Sequence, residues 1–370
     1  MRYRSYLAIS VFGLFLMSGA HAQSDVTLYG VFDAGVEHFN HAQNGGTVTR
    51  MTMLSSSVPS LLGFRGSEDL GNGLKAAFVL ENGFAPWQGT LLQNGRFFGR
   101  QSTVGLRGDW GQVDLGRQWT ATFRAVIDAD VIGPASFSMA ALDSYIPNAR
   151  VDNSISYYGT FNGLTVGGVY SLGRDTQRAG NCGGEQNNRA CNGWSALVKY
   201  NAAQWGITTA YDELRGGAGA NPITVVPGAS GVAFGDSGDK DQRYYLNGYA
   251  RIASVKIGGG WLHRNIEAEA RSLHTNLYYL GASLPVIPKL TFDGQFSYMD
   301  NPSYDTRAML LVLRTSYAFS KRTAAYISVA QMNNRGDGPA YSVSASSLTV
   351  KAPKPGQSQT GTLIGLRHAF

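Results

Sequence analysis

Apolar and polar residues alternate with a period of two along most of the chain. In residues 26–36 (VTLYGVFDAGV) small or apolar side chains occupy every second position, and residues 74–81 (LKAAFVLE) repeat the pattern. Alternation over about ten residues is typical of a transmembrane β-strand, one face toward lipid and the other toward the lumen. Residues 309–313 (MLLVL) form the longest strongly apolar run after the N-terminal segment, and this run is strand-sized. The pattern therefore predicts an all-β chain.

The connections between these strands alternate between short and long, which predicts a barrel. Seven short turns and eight long loops give sixteen antiparallel strands, with short turns facing the periplasm and long loops outside. About 11 residues per strand leave half the chain for connections. A barrel of sixteen strands leaves a water-filled channel, whereas one of about eight fills its own interior. The predicted turns are 69–73, 108–111, 160–163, 202–206, 251–254, 284–289 and 318–321, and the predicted loops are 39–56, 85–95, 119–149, 173–192, 215–240, 265–272, 301–305 and 333–359.

Aromatic residues cluster at the short turns. Trp110, Phe161, Trp205 and Phe319 each sit at a turn, and Phe370 ends the chain. Aromatic girdles mark the interfaces of transmembrane barrels. The alternative is that aromatic residues are simply common in strands.

The N-terminus has the organisation of a secretory signal peptide. Arg2 and Arg4 precede the apolar run LAISVFGLFLM, and AHA at 20–22 fits a small-x-small cleavage site. The run is too short for a spanning helix, which needs about 20 residues. We expect residues 1–22 to be removed, which lowers the formal net charge from +6 to +4 with the loss of the two arginines.

Composition agrees with an exported chain of many strands and turns. Charged residues make up only 15% of the chain and glycine accounts for 47 positions, while the 43% apolar content excludes disorder. Basic residues are scattered singly, so no nucleic-acid partner is expected despite a pI near 9.2. Cys182 and Cys191 are expected to form a disulfide in an oxidising compartment, worth roughly 2.5–3 kcal/mol on the chain-entropy model; free thiols are the alternative. No metal or other cofactor is expected, because two cysteines without a nearby histidine are too few ligands.

Several segments resemble the general porins of Gram-negative bacteria, especially the β-proteobacterial type. QSDVTLYGVFDAGVE near the start resembles the first strand of that family, LLGFRGSEDLGNGLKAAFVLENGF at 61–84 the second and third, and FFGRQSTVGLRGDWGQVDLGRQW at 97–119 the fourth and fifth. RVDNSISYYG at 150–159 resembles the sixth, and GLRHAF the closing strand. The similarity runs from end to end of the mature chain.

The resemblance implies a single outer-membrane barrel, 23–370, that assembles as a homotrimer and passes ions and small hydrophilic solutes. It implies that residues 119–149 form a third loop that folds into the pore as a constriction. It also implies contact with outer-membrane lipid and lipopolysaccharide, and Phe370 as the signal for the barrel-insertion machinery.

The same resemblance implies an electrostatic filter between a basic wall and an acidic loop. The expected wall cations are Arg65, Lys75, Arg100, Arg117 and Arg150, and the expected loop acids are Asp128, Asp130 and Asp143. Arg100 and Arg150 match the wall arginines of the family, Arg65 and Lys75 face inward by parity, and Arg117 sits at the base of the loop. Opposed charges in a narrow space bounded by low-dielectric walls bias which ions enter, and guanidinium stays charged when crowded.

Departures from the family leave the selectivity open between weakly anionic and nearly neutral. Leu61 stands where an arginine is usual, and the third loop has few acids. Arg100 and Arg150 could instead be interface anchors at strand ends, and Asp128 and Asp130 could be solvated loop residues.

Three other functions compete with a general channel. Catalysis is disfavoured because the five histidines of the mature chain lie in no motif of a hydrolase or metalloenzyme. A non-conducting adhesin is disfavoured by the strand count. A substrate-specific channel would need a ladder of aromatics or a denser basic cluster than the sequence offers.

Overall fold

The computed structural model describes residues 25–42, 45–52, 54, 56, 58–175, 182, 189–226, 229–269, 271–345 and 352–370. The predicted signal peptide, 1–22, lies outside these residues. In the described part of the chain, the strands are β1 (Asp25–Ala42), β2 (Gly46–Met51), β3 (Leu61–Gly71), β4 (Leu74–Ala85), β5 (Thr90–Leu91), β6 (Gln101–Gly108), β7 (Gly111–Trp119), β8 (Arg150–Phe161), β9 (Leu164–Ser171), β10 (Gly193–Asn201), β11 (Trp205–Arg215), β12 (Lys240–Ile252), β13 (Val255–Ala268), β14 (Arg271–Ile287), β15 (Leu290–Asn301), β16 (Thr306–Ala318), β17 (Thr323–Arg335) and β18 (Gln359–Ala369). The helix α1 (Ala121–Val126) and short 3-10 turns lie in the connections.

The strands form one closed antiparallel sheet. Successive strands pair with each other, and β18 returns to pair with β1 from Val31 opposite Ala369 to Phe39 opposite Gly361. The strands β2 and β3 both pair with β1 and share one place in the wall, and β5 pairs only with the end of β4. The barrel therefore has sixteen wall positions, and the predicted sixteen-stranded fold is confirmed.

The seam of the barrel depends on a glycine. The backbone of Phe370 exchanges two hydrogen bonds of 3.0 Å with that of Gly30, and the Phe370 ring lies over the Gly30 Cα, where any Cβ would overlap it. The chain thus closes the barrel with its last residue.

The seven short turns gather at one end of the barrel, where the sequence predicts them, although one is tighter than expected. The strand β14 continues through Pro285, with a bulge between Pro285 and Ile287, so only Pro288 and Lys289 form the turn. Proline is tolerated in a strand at such a bulge because the ladder hydrogen bond is already missing there.

At the opposite end, the predicted long loop 265–272 is wrong. The strand β13 runs to Ala268 and β14 starts at Arg271, which leaves a two-residue connection between long strands. At 17 residues, β14 exceeds the roughly 9–11 that cross a bilayer, so this hairpin extends beyond the membrane.

The outward face of the wall is apolar, as the alternation predicts. Side chains such as Val26, Leu280 and Ile364 are more than half exposed, and this exposed band faces lipid in a barrel. The four aromatics at the short turns and Phe370 also lie on the outside, with exposures from 42% for Trp110 to 56% for Phe319. No helix among the described residues is long and apolar enough to cross a membrane.

Candidate pore and constriction

The third loop, residues 120–149, enters the barrel and begins by docking on β10 to β12. The Ser195 hydroxyl accepts the Ala121 N–H at 2.8 Å, and the Asn247 amide donates to the Ala125 carbonyl at 2.9 Å. Both contacts use backbone groups at the ends of α1, which would otherwise lack partners in the lumen. The loop is therefore tied to the wall by strand side chains.

The middle of the loop is held by one buried arginine of β16. Arg314 donates to the carbonyls of Val131 at 3.0 Å and Ile132 at 2.9 Å, and it forms an ion pair of 2.8 Å with Asp293. A guanidinium has five fixed N–H donors, so it can bind a carboxylate and two carbonyls together.

Farther along, the loop meets β1 at a buried glutamate. Glu37 is fully buried and accepts hydrogen bonds from Arg50 at 2.7 Å, Ser136 at 3.0 Å and Ser344 at 2.8 Å. Ser136 belongs to the third loop and Ser344 to the eighth, the connection after β17. The two loops therefore share one carboxylate anchor.

Apolar packing completes this side of the barrel. Loop residues Ile132, Phe137, Met139 and Leu142 are at most 1% exposed and belong to one cluster with inward side chains of β13 to β18. We call β10 to β18 the loop-bearing wall. Its buried inward apolar residues in the cluster include Leu262, Leu277, Met299, Leu310, Val312, Met332 and Leu363.

The remaining strands carry the predicted arginines. We call β4, β6, β7 and β8, with Arg100 just before β6, the arginine wall. The Arg100 guanidinium is ion-paired with Glu81 of β4. Arg117 of β7 is ion-paired with Asp152 of β8 and donates to the Gly99 carbonyl at 2.7 Å.

A β-bulge and a glycine lie beside Arg117. The register between β7 and β8 shifts between Gly116 and Gln118, where Arg117 alone faces two residues of β8, Asp152 and Asn153. Gly116 has a φ of +123°, and a Cβ there would overlap the Ser102 carbonyl, so glycine is required. The extra residue in β8 disrupts the regular alternation of that strand, and its Asp152 is ion-paired with Arg117.

Arg150 is different, because an aromatic ring is its main neighbour. Its guanidinium carbon lies 3.5 Å from the centre of the Trp119 ring. Arg150 lies beside Arg100, which is 5.2 Å from the same ring. Arg100, Arg117 and Arg150 thus come together around the start of the third loop.

The other two predicted wall cations lie elsewhere. Arg65 faces inward below Glu81 and lies 5.3 Å from the Tyr29 ring. Lys75 is the second residue of β4, next to a short turn, and it lies opposite Arg107 in the sheet. At 3.3 Å per residue, Lys75 is about 20 Å along β4 from Glu81. Lys75 therefore belongs to the periplasmic end of the lumen and not to the constriction, because parity gives the face of a strand but not the height.

The loop acids do not face the arginine wall with free charge. Asp128 is ion-paired with Lys199 of β10, and Asp143 accepts from Arg243 of β12 at 2.9 Å. Asp130 turns its carboxylate onto the N–H groups of Ile132 and Gly133 at 3.2 and 2.9 Å. The predicted filter of acids opposing cations across the pore stays a prediction for these three residues, whose carboxylates are already bound by neighbouring groups. A buried carboxylate requires partners at short range, and the nearest partners lie on the loop-bearing wall or within the loop.

Burial and neighbours shift the pKa of two loop acids in opposite directions. Burial raises the pKa of Asp130 above its ordinary value, since its hydrogen bonds compensate only in part. Burial acts on Asp143 in the same sense, but the positive charges of Arg243 and Arg264 outweigh it and hold the pKa of Asp143 below its ordinary value.

A cavity of about 710 Å³ lies next to the third loop, bounded by the loops between strands. We call this cavity the vestibule. Among the described residues that line it, six are arginines and three are aspartates. The charged residues are Arg96, Arg117, Arg150, Arg174, Arg243, Arg264, Asp143, Asp175 and Asp241.

Several of these charged residues escaped the sequence analysis. Arg243 and Asp241 sit two residues apart on the inward face of β12 and bind each other at 3.1 Å, and Arg264 opposite them binds Asp241 at 2.8 Å. The sequence did contain a signal for them: in residues 241–243 (DQR), Asp241 and Arg243 fall on the same face of the strand, and the outward-facing Tyr244 follows. Arg96 and Arg174 lie in irregular loops, where no periodicity could place them.

The predicted disulfide between Cys182 and Cys191 is present. The Cys191 carbonyl accepts the Arg174 N–H at 2.9 Å, and the Cys191 N–H donates to the Gly216 carbonyl at 2.8 Å. These hydrogen bonds join the disulfide-bridged end of the fourth loop to the base of the fifth, beside Arg174 of the vestibule.

Comparisons with known proteins agree with this architecture. Residues 8–337 match the sequence profile described as Gram-negative porin. The chain is 31% identical to outer membrane porin protein 32 of Delftia acidovorans over 99% of both chains, and 27% identical to an outer membrane porin protein of Bordetella pertussis over 83% of this chain and 88% of that one. Among solved structures, an anion-selective porin from Comamonas acidovorans superposes with a TM-score of 0.78 at 26% identity, covering 94% of this chain and 100% of that chain.

Proposed function

Because this chain belongs to the family of Gram-negative porins, we propose that it is a diffusion channel with a preference for anions. The family membership confirms the prediction of an outer-membrane channel for ions and small hydrophilic solutes. The family and the relatives also point to a channel and not to an enzyme. The preference for anions is the finer proposal.

The charge balance of the vestibule carries this proposal. Six arginines face three aspartates there, a formal surplus of three positive charges among the described lining residues. Fixed charge of one sign in a water-filled space with low-dielectric walls raises the local concentration of counter-ions. Rings of arginine or lysine favour anions in pores for this reason.

The third loop does not offset that surplus. Asp128 is bound by Lys199, and Asp143 is bound by Arg243. Carboxylates that already hold a cation contribute little net field at the pore. The solved structure named as an anion-selective porin supports the same direction of selectivity.

We further propose that the chain is a homotrimer whose constriction is formed by residues 119–149 against Arg100, Arg117 and Arg150, with Arg65 and Lys75 along the path to the periplasm. Phe370 would serve the barrel-insertion machinery, and the outward apolar band would contact lipid and lipopolysaccharide. The exposed Phe370 ring beside the closing seam is consistent with recognition before closure.

The test is the reversal potential of the refolded mature chain in a planar bilayer under a KCl gradient. We expect ohmic steps, in threes for a trimer, and the sign of an anion-preferring pore. The double variant Arg117→Gln/Arg150→Gln should shift the potential toward zero, with a fall in the anion-over-cation permeability ratio of about threefold or more. The matched control is Arg335→Gln, which removes an exposed charge from the outer rim of β17.

A wild-type potential of zero or of cation-selective sign would contradict the anion preference. A folded barrel without conductance would contradict an open pore and would favour an adhesin. An equal shift in Arg335→Gln would mean that overall charge, and not the vestibule, sets the potential.

A further inference from the structure

Arg150 differs from its two neighbours on the arginine wall in having no carboxylate in direct contact with it. Arg100 is paired with Glu81 and Arg117 with Asp152. Arg150 forms no ion pair and no side-chain hydrogen bond with any residue in the described ranges, although its side chain is largely buried. Its Nε and Nη1 are both buried without an acceptor. Burial of a charge without a partner is costly, so something else must hold this side chain in place.

The group that holds it is the indole ring of Trp119. Its centre is 3.5 Å from the guanidinium carbon of Arg150, within the range of a strong cation–π contact. The ring of Phe123, in α1, stacks on Trp119 with 3.7 Å between centres and 14° between planes. Trp119 is the last residue of β7 and only 7% exposed. The indole is therefore itself fixed between the wall and the third loop.

An aromatic partner and a carboxylate partner have different consequences for the pore. A carboxylate that binds a guanidinium cancels the positive charge as seen by an ion farther away. The face of an aromatic ring also attracts the cation, but it contributes no net negative charge. Arg150 also lines the vestibule. A guanidinium held by a ring has no bound carboxylate to offset its charge there.

We propose that Trp119 is a positioning residue for selectivity, which holds Arg150 through its ring so that this arginine presents an uncompensated positive charge in the constriction. This inference rests on the proposed anion preference, and it identifies Arg150, held by Trp119, as the arginine on which that preference depends most. Arg100 and Arg117, whose charges are paired, contribute less per residue.

The alternative role for Trp119 is simple packing, and the chemistry of the substituting residue separates the two. Phenylalanine keeps an aromatic face, whereas leucine keeps apolar bulk without one. A packing role makes the two variants similar in selectivity. A positioning role through the ring makes Trp119→Phe resemble the wild type and Trp119→Leu resemble Arg150→Gln.

The experiment compares reversal potentials of the refolded wild type, Trp119→Phe, Trp119→Leu, Arg150→Gln and the double variant Trp119→Leu/Arg150→Gln. We expect Trp119→Leu to lower the anion-over-cation permeability ratio about two- to fourfold, and Trp119→Phe to stay closer to the wild type. In the double variant, the leucine should add nothing to Arg150→Gln, because its effect passes through Arg150. Trp110→Leu, at an exposed turn on the outside, is the matched control and should leave the ratio unchanged.

Three results would overturn the proposal. In the first, Trp119→Leu keeps the wild-type anion-over-cation permeability ratio. In the second, the leucine and phenylalanine variants have equal ratios, and in the third the leucine lowers the ratio as much in the Arg150→Gln background as in the wild type. Trp119→Met, a flexible side chain of similar reach, carries the same expectation if the leucine variant does not fold. The anion preference itself would be contradicted by a different measurement, the sign of the wild-type reversal potential, so the two failures are distinguishable.

Discussion

The two inner walls of this barrel have the same secondary structure and different interiors. The loop-bearing wall turns buried apolar side chains such as Leu277 and Leu310 into the lumen, where the third loop covers them. The arginine wall presents Arg117 and Arg150 to the vestibule. A strand whose inward face is covered by protein behaves as a core strand, and one whose inward face meets water behaves as a surface. Most of the loop-bearing wall thus supports the loop, while the arginine wall, together with Arg243 and Arg264 of β12 and β13, borders the vestibule.

The largest expected effect comes from removing the arginine that holds the middle of the loop. Arg314→Ala leaves Asp293 buried without its cation and two loop carbonyls without donors, and breaking a buried pair in this way costs about 3–5 kcal/mol. We expect a loosened loop, seen as larger open-channel noise and higher mean conductance in single-channel records.

The matched control lies on the same strand. Arg307 is ion-paired with Asp300 at 3.2 Å, but 57% of its side chain is exposed. Exposed pairs contribute about 0–1 kcal/mol, so Arg307→Ala should leave the current trace unchanged. Equal noise in both variants would mean that Arg314 does not anchor the loop.

The next effect tests the apolar packing of the loop-bearing wall. Leu310→Ala removes a fully buried side chain beneath the third loop, and we expect a loss of about 2–5 kcal/mol in the free energy of unfolding. Leu311→Ala removes the neighbouring side chain, which is 46% exposed on the lipid side, and should cost much less. The measurement is urea unfolding in lipid vesicles. Equal losses would show that the inner packing contributes no more than lipid contact.

The smallest effect concerns pH and the loop acid Asp143. Arg243 and Arg264 hold the pKa of Asp143 below its ordinary value, so its contribution to stability is complete above the unfolded-state pKa of about 4 and is lost as pH falls through the lower folded value. We expect the wild-type conductance to stay constant from pH 7 to about 4 and to change only below that. Asp143→Asn should lack this acid-side change, and the same transition in both proteins would assign it to another group.

Much of the barrel could be predicted from the sequence because strand alternation and turn length are local properties. The seven short turns follow from spacing and the inward face of Arg65 from parity, whereas the closing strand that ends at Phe370 was implied by the resemblance. The apolar run at 309–313 indicated more than the presence of a strand. Leu310 and Val312 face the loop, while Leu311 and Leu313 face lipid. A strand that is apolar on both faces of a wide barrel indicates a covered interior.

What could not be predicted has a common physical origin: local sequence patterns do not give the height of a residue along the pore or its partners across the lumen. Lys75 has the correct face and the wrong height, since parity does not say how far a residue lies above its turn. The partners that the loop acids bind could not be predicted, because an irregular loop has no period that aims its side chains. Asp143 finds Arg243, which is 100 residues away in sequence, through a docking that only tertiary packing decides.

The shared anchor at Glu37 has a consequence for engineering the outer surface. Ser344 and Ser136 bind the same carboxylate, and the N–H of Ala345 also donates to the Ser136 carbonyl at 2.8 Å. Insertion of an epitope or affinity tag is normally tolerated in exposed loops whose backbone bonds lie elsewhere. At 341–345 a tag would displace the support of the pore loop, so a display cassette belongs in another surface segment, such as the exposed stretch around 218–221.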